Sequence, residues 1–316
     1  MSQRVLVLGG TGFVGRHVVA NLVTAGHRVV VPTRRRERGK HLILLPTVDV
    51  VERDVHEPRT LRQLVGDADV VVNLVGILHE RGRATFARAH VELARNLIDA
   101  CQRAQVRRLV HMSALGADVD APSRYLRSKG EAQALVESSA LDWTVFRPSV
   151  IFGRGDAFLG LFAKLVRWMP VVFLAAPKAK FQPVHVVDVA ACLAQATQDD
   201  ATIRKRYALC GPNVYSLREL VAYVAETTGH VRPIVGLGPS LSKLQARVLE
   251  LSPIPLMTRD NLASMSVDNV CAEPFPPVFG IVPGALEAIA PSYLAPDAIR
   301  SRFDGYRERA GNPGAR

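Results

Sequence analysis

The chain begins with Arg4-Val-Leu-Val-Leu8, an apolar run with no polar alternation. Such a run marks a strand covered on both faces, as in a parallel sheet. A glycine turn follows. From Phe13 to Thr24 the apolar positions Val14, Val18, Val19, Leu22 and Val23 then recur at helical spacing, and Gly26 stands where a helix C-cap belongs. The alternation repeats. Strands are predicted at Arg28 to Val31, Val48 to Val51, Val70 to Leu74, Arg108 to Met112 and Trp143 to Arg147. Helices are predicted at Pro58 to Leu64, Phe86 to Ala104 and Tyr125 to Ser138. Strands alternating with helices build βαβ units, so the expected fold class is α/β, a Rossmann doubly wound parallel sheet.

Past Pro148 the pattern loosens into prolines and short elements, with helices expected at Phe158 to Trp168, Val187 to Thr197, Leu217 to Thr228 and Leu241 to Leu251. The expected organisation is a dinucleotide-binding domain over residues 1–150. A smaller C-terminal lobe over residues 151–316 packs on it and serves substrate or partner, with a frayed tail after Asn312. Trp168 and the apolar stretch Met169–Leu174 read as core; a greasy substrate pocket or a lipid contact is the other reading.

Composition narrows the partners. The 316 residues are 48% apolar and 22% charged, which allows a sizeable core and excludes global disorder. The net charge of +11 comes mostly from Arg, since only seven Lys occur. A basic surface suits nucleotide phosphates or an acidic membrane surface. No Lys/Arg-rich arm or nucleic-acid motif is present, so no nucleic acid is expected. Cys101, Cys192, Cys210 and Cys271 are far apart with no CxxC, and read as buried, reduced thiols of a cytoplasmic protein. No signal-peptide pattern precedes the first strand. The longest apolar stretch, Phe158 to Ala176, is interrupted by Lys164, Arg167 and Pro170. No His/Asp/Glu cluster has metal spacing, so no metal is expected. His185, inside Pro183-Val-His-Val, reads as a cleft residue or a structural one.

The turn Gly9-Gly-Thr-Gly12-Phe-Val-Gly15 lies between a strand and a helix, the context that gives such a motif meaning. Gly9 permits the tight turn, Gly12 lets backbone approach a pyrophosphate, and Gly15 lets the helix pack on the strand. Free N–H groups at the helix start bind the phosphates, and Thr11, Phe13 and Val14 join the cofactor-binding set. At the end of the second strand a site for NAD usually carries an acid. Here Thr33-Arg34-Arg35-Arg36 occurs, with no acid before Glu37. Arg34 pairs with a 2′-phosphate in this reading, which favours NADP(H) over NAD(H); a solvated basic loop is the alternative. Asp54 and Val55, after the third strand, face the adenine. Asn73, Val75 and Gly76, after the fourth, line the nicotinamide ribose, and Pro148 closes the set. Asp54 and Asn73 also suit ordinary turns.

The candidate chemistry is in Tyr125-Leu-Arg-Ser-Lys129. Residues i and i+4 share a helix face, and an ammonium beside a phenol lowers its pKa. Such a Tyr125 exchanges a proton with a carbonyl or alcohol as hydride moves, and Ser113 hydrogen-bonds the same oxygen. The other reading leaves Lys129 on the ribose hydroxyls, with no turnover.

These residues together, Gly9–Gly15, Asp54, Asn73 to Gly76, Ser113, Tyr125 and Lys129, resemble the short-chain dehydrogenase/reductase superfamily in its atypical or extended branch. Arg147-Pro-Ser-Val-Ile-Phe-Gly-Arg-Gly-Asp156 and Phe181-Gln-Pro-Val-His-Val-Val-Asp188-Val-Ala190 are similar to the bacterial relatives of respiratory complex I alpha-subcomplex subunit nine. The resemblance is strong to about residue 190 and faint beyond. It implies a bound NAD(P)H, often NADPH, without implying turnover, since the respiratory relative is an accessory subunit holding its nucleotide tightly. Related proteins are linked to ubiquinone biosynthesis. Two departures stand out: His111-Met-Ser-Ala-Leu is not the usual serine pair, and Arg154 replaces the proline of the commoner Gly-Pro-Gly.

Three functions follow. The first is an NADP(H)-dependent oxidoreductase acting on a carbonyl or alcohol of a small-molecule or lipid-like substrate. The second is a nucleotide-holding accessory or assembly factor for a respiratory or quinone-synthesis complex, peripheral at the inner face of the membrane. The third is a sugar-nucleotide epimerase or dehydratase.

Overall fold

Val5, Leu6, Val7 and Leu8 are fully buried, as an apolar run without alternation requires. They form β1 (Arg4–Leu8), next to the centre of a seven-stranded sheet in a computed structural model that describes residues 2–250 and 257–295. The other strands are β2 (Arg28–Thr33), β3 (Val48–Glu52), β4 (Val70–Asn73), β5 (Arg108–Met112), β6 (Asp142–Pro148) and a seventh at Lys205–Leu209. All pair in parallel, in the order seventh strand, β6, β5, β4, β1, β2, β3. The order reverses between β1 and β4, and the loops leaving those two strands diverge there.

Helices cover both faces. Leu6 and Leu8 join Leu61 and Val65 of α2 (Pro58–Gly66) and Leu93 and Leu97 of α3 (Leu93–Arg103) in one core. On the other side α1 (Phe13–Thr24) packs on the helix Val186–Gln195. The long helix expected from Phe86 is in two parts. A π-helical segment, Ala87–Glu92, runs into α3. Six residues are too few to carry a period of their own, so the sequence pattern hides the segment.

The single boundary expected near residue 150 is corrected. One unit comprises Met1–Ser149, Val186–Cys210 and Cys271–Val282; the other comprises Val150–His185, Gly211–Val270 and the chain from Pro283. The returning segments complete the sheet. Lys205–Leu209 pairs along β6, and Arg108 of β5, buried, donates to the Ala196 carbonyl and to the Thr144 and Thr202 hydroxyls. The seventh strand was not predicted because an edge strand carries charge, here the exposed Lys205 and Arg206.

The second unit has its own core, built around Phe152, Leu159, Phe162, Leu217, Leu220 and Val224. Two of its helices begin at side-chain caps: Asp156 accepts from the Leu159 N–H, and Ser216 with Glu219 forms a capping box. Val172 and Leu174 enter this core, but Trp168, Met169 and Phe173 are exposed, which corrects the expectation that the whole stretch is buried. Alternation along the strand Val172–Leu174 forces Phe173 to the opposite face. The His185 ring lies 5.4 Å from that of Phe152, centroid to centroid. Leu251 and the tail after Asn312 lie outside the described residues.

The cysteine expectation is also corrected in part. Cys101 and Cys192 are buried free thiols, and burial pushes the Cys101 thiol up to about 12. Cys210 and Cys271, 61 residues apart, form a disulfide, since the fold returns the chain to the first unit at residue 271.

Helix α4 (Arg124–Glu137), which carries Tyr125 and Lys129, is held tightly against the loop after β5. A Cβ on its Gly130 would lie 2.3 Å from the backbone carbonyl carbon of Asp118. Gly130→Ala therefore overpacks backbone against backbone, at a cost of about 1–3 kcal/mol. Urea denaturation is expected to show a lower midpoint; an unchanged midpoint would contradict the contact.

Candidate nucleotide site

The glycines of the first turn have separable tasks. Gly9 has φ +80°, and a Cβ there would press on the Leu74 carbonyl at 3.1 Å, so this turn touches the loop after β4. A Cβ on Gly15 would lie 2.3 Å from the Gly9 oxygen, so α1 sits directly on the turn. Gly10, which the sequence reading passed over, packs its Cα face on Val31, where a Cβ would come within 2.8 Å. Gly12 differs from all three. It is exposed, it is the N-cap of α1, no side chain caps the helix, and no acid lies in its first turn. The first α1 bond runs from the Arg16 N–H to the Gly12 oxygen. The N–H groups of Phe13, Val14 and Gly15 have no intrahelical acceptor, and the positive end of the helix dipole stays unscreened. That is the donor set of a phosphate site, and the pyrophosphate of a dinucleotide fits it.

After β2, Thr33 Oγ1 bonds the Arg35 backbone, while Arg34 is exposed and makes no hydrogen bond or ion pair among the described residues. Arg34 lies near His56. Burial lowers the pKa of that imidazole, with Arg88 and Arg34 adding and Asp54 opposing. Asp54 Oδ1 accepts from the His56 N–H, so its side chain shapes the turn into α2, and Val55 packs on the core. Asn73 is buried. Its Oδ1 accepts from the Val75 N–H and its Nδ2 donates to His111 Nδ1. Asp54 and Asn73 thus act as turn residues through these atoms. Pro148 ends β6, and its carbonyl accepts from the Leu115 N–H.

The strongest electrostatic feature is Lys129. Its side chain is only 3% exposed, its Nζ donates to the Met112 carbonyl at 3.0 Å, and no carboxylate of the described residues pairs with it. Burial pulls its pKa down to about 8. The Gly76 backbone is adjacent, since a Cβ there would lie 3.2 Å from Nζ. An ammonium has three donors, and one is spent.

His90, which no sequence motif indicated, ties the same region together. The Ile77 N–H donates to its Nε2 at 3.1 Å, so the ring proton sits on Nδ1 and points to Ser128 Oγ at 2.8 Å. Ser128 Oγ in turn donates to the Tyr125 carbonyl at 2.8 Å. This chain joins the loop after β4 to α4. Its only sequence trace is one histidine inside a helical pattern, and the π-helical segment aims it. Burial and the Lys129 charge hold His90 near 2 and His111 near 3. The His111 proton sits on Nε2, because the Asn73 amide donates to Nδ1. That Nε2 and Ser113 Oγ, two residues on, are both buried with no partner among the described residues.

Tyr125 packs against the rings of Phe86 and His90, with centroids 5.9 and 5.8 Å away. Burial pushes its phenol up to about 12. The expectation that Lys129 draws it down toward neutrality is corrected: desolvation dominates, and the ammonium is directed at the Met112 carbonyl.

A doubly wound sheet with an uncapped, acid-free helix start at its switch point defines an NAD(P)H-binding protein of the Rossmann type. A family model described as NAD(P)H-binding matches residues 9–156. The mitochondrial NADH dehydrogenase (ubiquinone) 1 alpha subcomplex subunit 9 of Rattus norvegicus is 33% identical over 291 residues, 89% of this chain and 77% of that one. The chain belongs to this subunit 9 family of NAD(P)H-binding proteins. It is also similar to a ceramide reductase of Caulobacter vibrioides, 33% identical over 190 residues, 60% of this chain and 59% of the other. An NADPH-dependent quinone oxidoreductase of Escherichia coli, solved with NADPH, shares the fold at a TM-score of 0.71 and 18% identity, covering 90% of this chain and 98% of its own.

The two neutral histidines set a pH dependence. Their folded pKa values lie below the unfolded value of 6.5, so the unfolded chain binds more protons as pH falls. Stability present above pH 6.5 is therefore lost below it, by about 1.4 kcal/mol per pH unit for each ring until its folded pKa is reached. Urea titrations between about pH 6.5 and 5 should show the two-proton slope. A flat profile would mean that the rings titrate normally.

Proposed function

We propose that this protein binds NADP(H) and works as a reductase of a carbonyl on a small or lipid-like molecule. The observation that carries the nucleotide half is Lys129, a buried ammonium with one carbonyl partner and two donors left beside Gly76. Vicinal hydroxyls of a ribose satisfy those donors without bringing a second charge. The N–H groups at the start of α1 hold the pyrophosphate, with Thr11 alongside, and Arg34 takes the 2′-phosphate. When bound, the nicotinamide supplies the hydride. Ser113 Oγ, an unspent buried hydroxyl, hydrogen-bonds the substrate oxygen. Tyr125 stays protonated at neutral pH and so serves as the proton donor, which suits reduction better than alcohol oxidation. The names of two relatives, a ceramide reductase and an azoreductase, agree with that direction.

A second reading has its own support. The subunit 9 relatives match most of the chain, and Tyr125 is not acidified. On that reading the nucleotide is structural and the protein is an accessory of a membrane-bound respiratory or quinone-synthesis complex. The described residues include no helix long and apolar enough to cross a membrane.

Tyr125→Phe separates the two. The reductase reading expects NADPH oxidation with long-chain ketones or quinones to fall by about 10²–10⁴-fold while NADPH binding persists. Full activity in the variant, or full complementation of a deletion strain by it, would sink that reading. For cofactor choice, Arg34→Ala should weaken NADPH binding by about tenfold and spare NADH. Equal losses for both would remove Arg34 from the 2′-phosphate.

A further inference from the structure

The helix Pro239–Leu249 of the second unit is amphipathic the wrong way round. Its buried positions are small, Ser242 and Ala246, one turn apart. Leu241, Leu244 and Val248, at the spacing of a single face, are 56%, 57% and 58% exposed. The helix is nonetheless fixed in place: Ser242 Oγ donates to the Leu237 carbonyl at 3.2 Å, and Gln245 Nε2 donates to the Phe173 carbonyl at 2.8 Å. The second bond sets the stripe beside Phe173, itself exposed and in register with the exposed Val235. Phe173, Leu237, Leu241, Leu244 and Val248 line one open groove of about 320 Å³. Five residues before Phe173, Trp168 is 77% exposed, with the Arg167 guanidinium 5.8 Å from its ring centroid.

Single exposed apolar residues are ordinary, but a contiguous stripe on an anchored helix marks a surface that something covers. The charges identify what. The helix carries Lys243 and Arg247 and no acid, Arg167 lies at Trp168, and the sequence windows 157–185 and 227–249 contain no Asp or Glu; Lys178 and Lys180 line a separate pocket with Glu219. Glu250, the first acid after the helix, is bound to Arg259 at 2.8 Å. A second copy docked about a two-fold axis would set Lys243 and Arg247 against their own like charges. An anionic lipid surface suits both features, because the apolar stripe enters the acyl boundary, the cations meet headgroups, and an exposed tryptophan sits at the interface. We propose that this face of the second unit docks on an anionic lipid bilayer. The reasoning uses no residue of the nucleotide site and stands independently of the reductase reading.

The test is co-sedimentation of the full chain with vesicles of phosphatidylcholine plus phosphatidylglycerol, and of phosphatidylcholine alone. Binding is expected to the anionic vesicles, with loss at high salt. Leu244→Glu with Val248→Glu should weaken it by at least about tenfold. Both positions are exposed, so the fold is retained, which circular dichroism checks. Lys243→Gln with Arg247→Gln should weaken binding to the anionic vesicles only. Absence of binding by the wild type, or binding indifferent to both pairs, overturns the proposal. So does a dimer in lipid-free solution that Leu244→Glu dissociates, which assigns the face to a second copy. Vesicle binding that survives both pairs but vanishes on deletion of residues 296–316 assigns the contact to the tail and likewise overturns it.

Discussion

A buried ammonium without a carboxylate is an expensive thing for a fold to hold, and the nucleotide site of this protein is organised around one. Lys129 reaches the end of β5 from α4, finds the Met112 carbonyl, and stops beside the Gly76 backbone. Burial, with its charge adding, depresses His90 and His111, so both rings are neutral and each has a defined tautomer. The geometry that permits this comes from elsewhere. Gly130 lets α4 lie on the loop after β5, and His90 links α4 to the loop after β4 through Ser128 and Ile77. The site keeps unspent donors where another protein would have placed an acid.

The glycine turn complements that cation from across the switch point. Gly15 brings α1 onto the turn, and Gly9 brings the turn onto the loop after β4. The uncapped helix start and the ammonium both offer donors, and neither offers an acceptor. A polyanionic ligand with sugar hydroxyls is what such a set recognises. Tyr125 is the less committed part. Its phenol is raised by burial, which keeps a proton available for donation and removes it as a base.

Much of this was legible in the sequence where local rules decide. The limits of β1, α1 and β5 follow from apolar runs and a capping glycine, and Gly9 makes the tight turn and Gly15 the close helix packing that their spacing assigns. What failed to show depends on contacts remote in sequence. The seventh strand is a charged edge strand, the Cys210–Cys271 bond joins segments that meet only in the folded chain, and the π-helical segment is too short to carry a period of its own. His90 and Gly130 matter because of what lies across from them, which one-dimensional spacing does not reveal. The Tyr-x-x-x-Lys spacing brought its two residues to one region, yet it misjudged the phenol, because desolvation outweighs an ammonium turned toward a carbonyl. The exposed leucines of Pro239–Leu249 look, in sequence, like any core stripe.

In the proposed function the nucleotide completes the coordination of Lys129. With a pKa near 8 in the free protein, Lys129 is mostly neutral at about pH 9, and a ligand that hydrogen-bonds the ammonium must reload it. Titration calorimetry of NADPH binding in buffers of different ionisation enthalpy measures that proton. Uptake of most of one proton per nucleotide is expected at about pH 9, close to none at about pH 7, and none at either pH in Lys129→Met. Binding without proton uptake at the higher pH would contradict it.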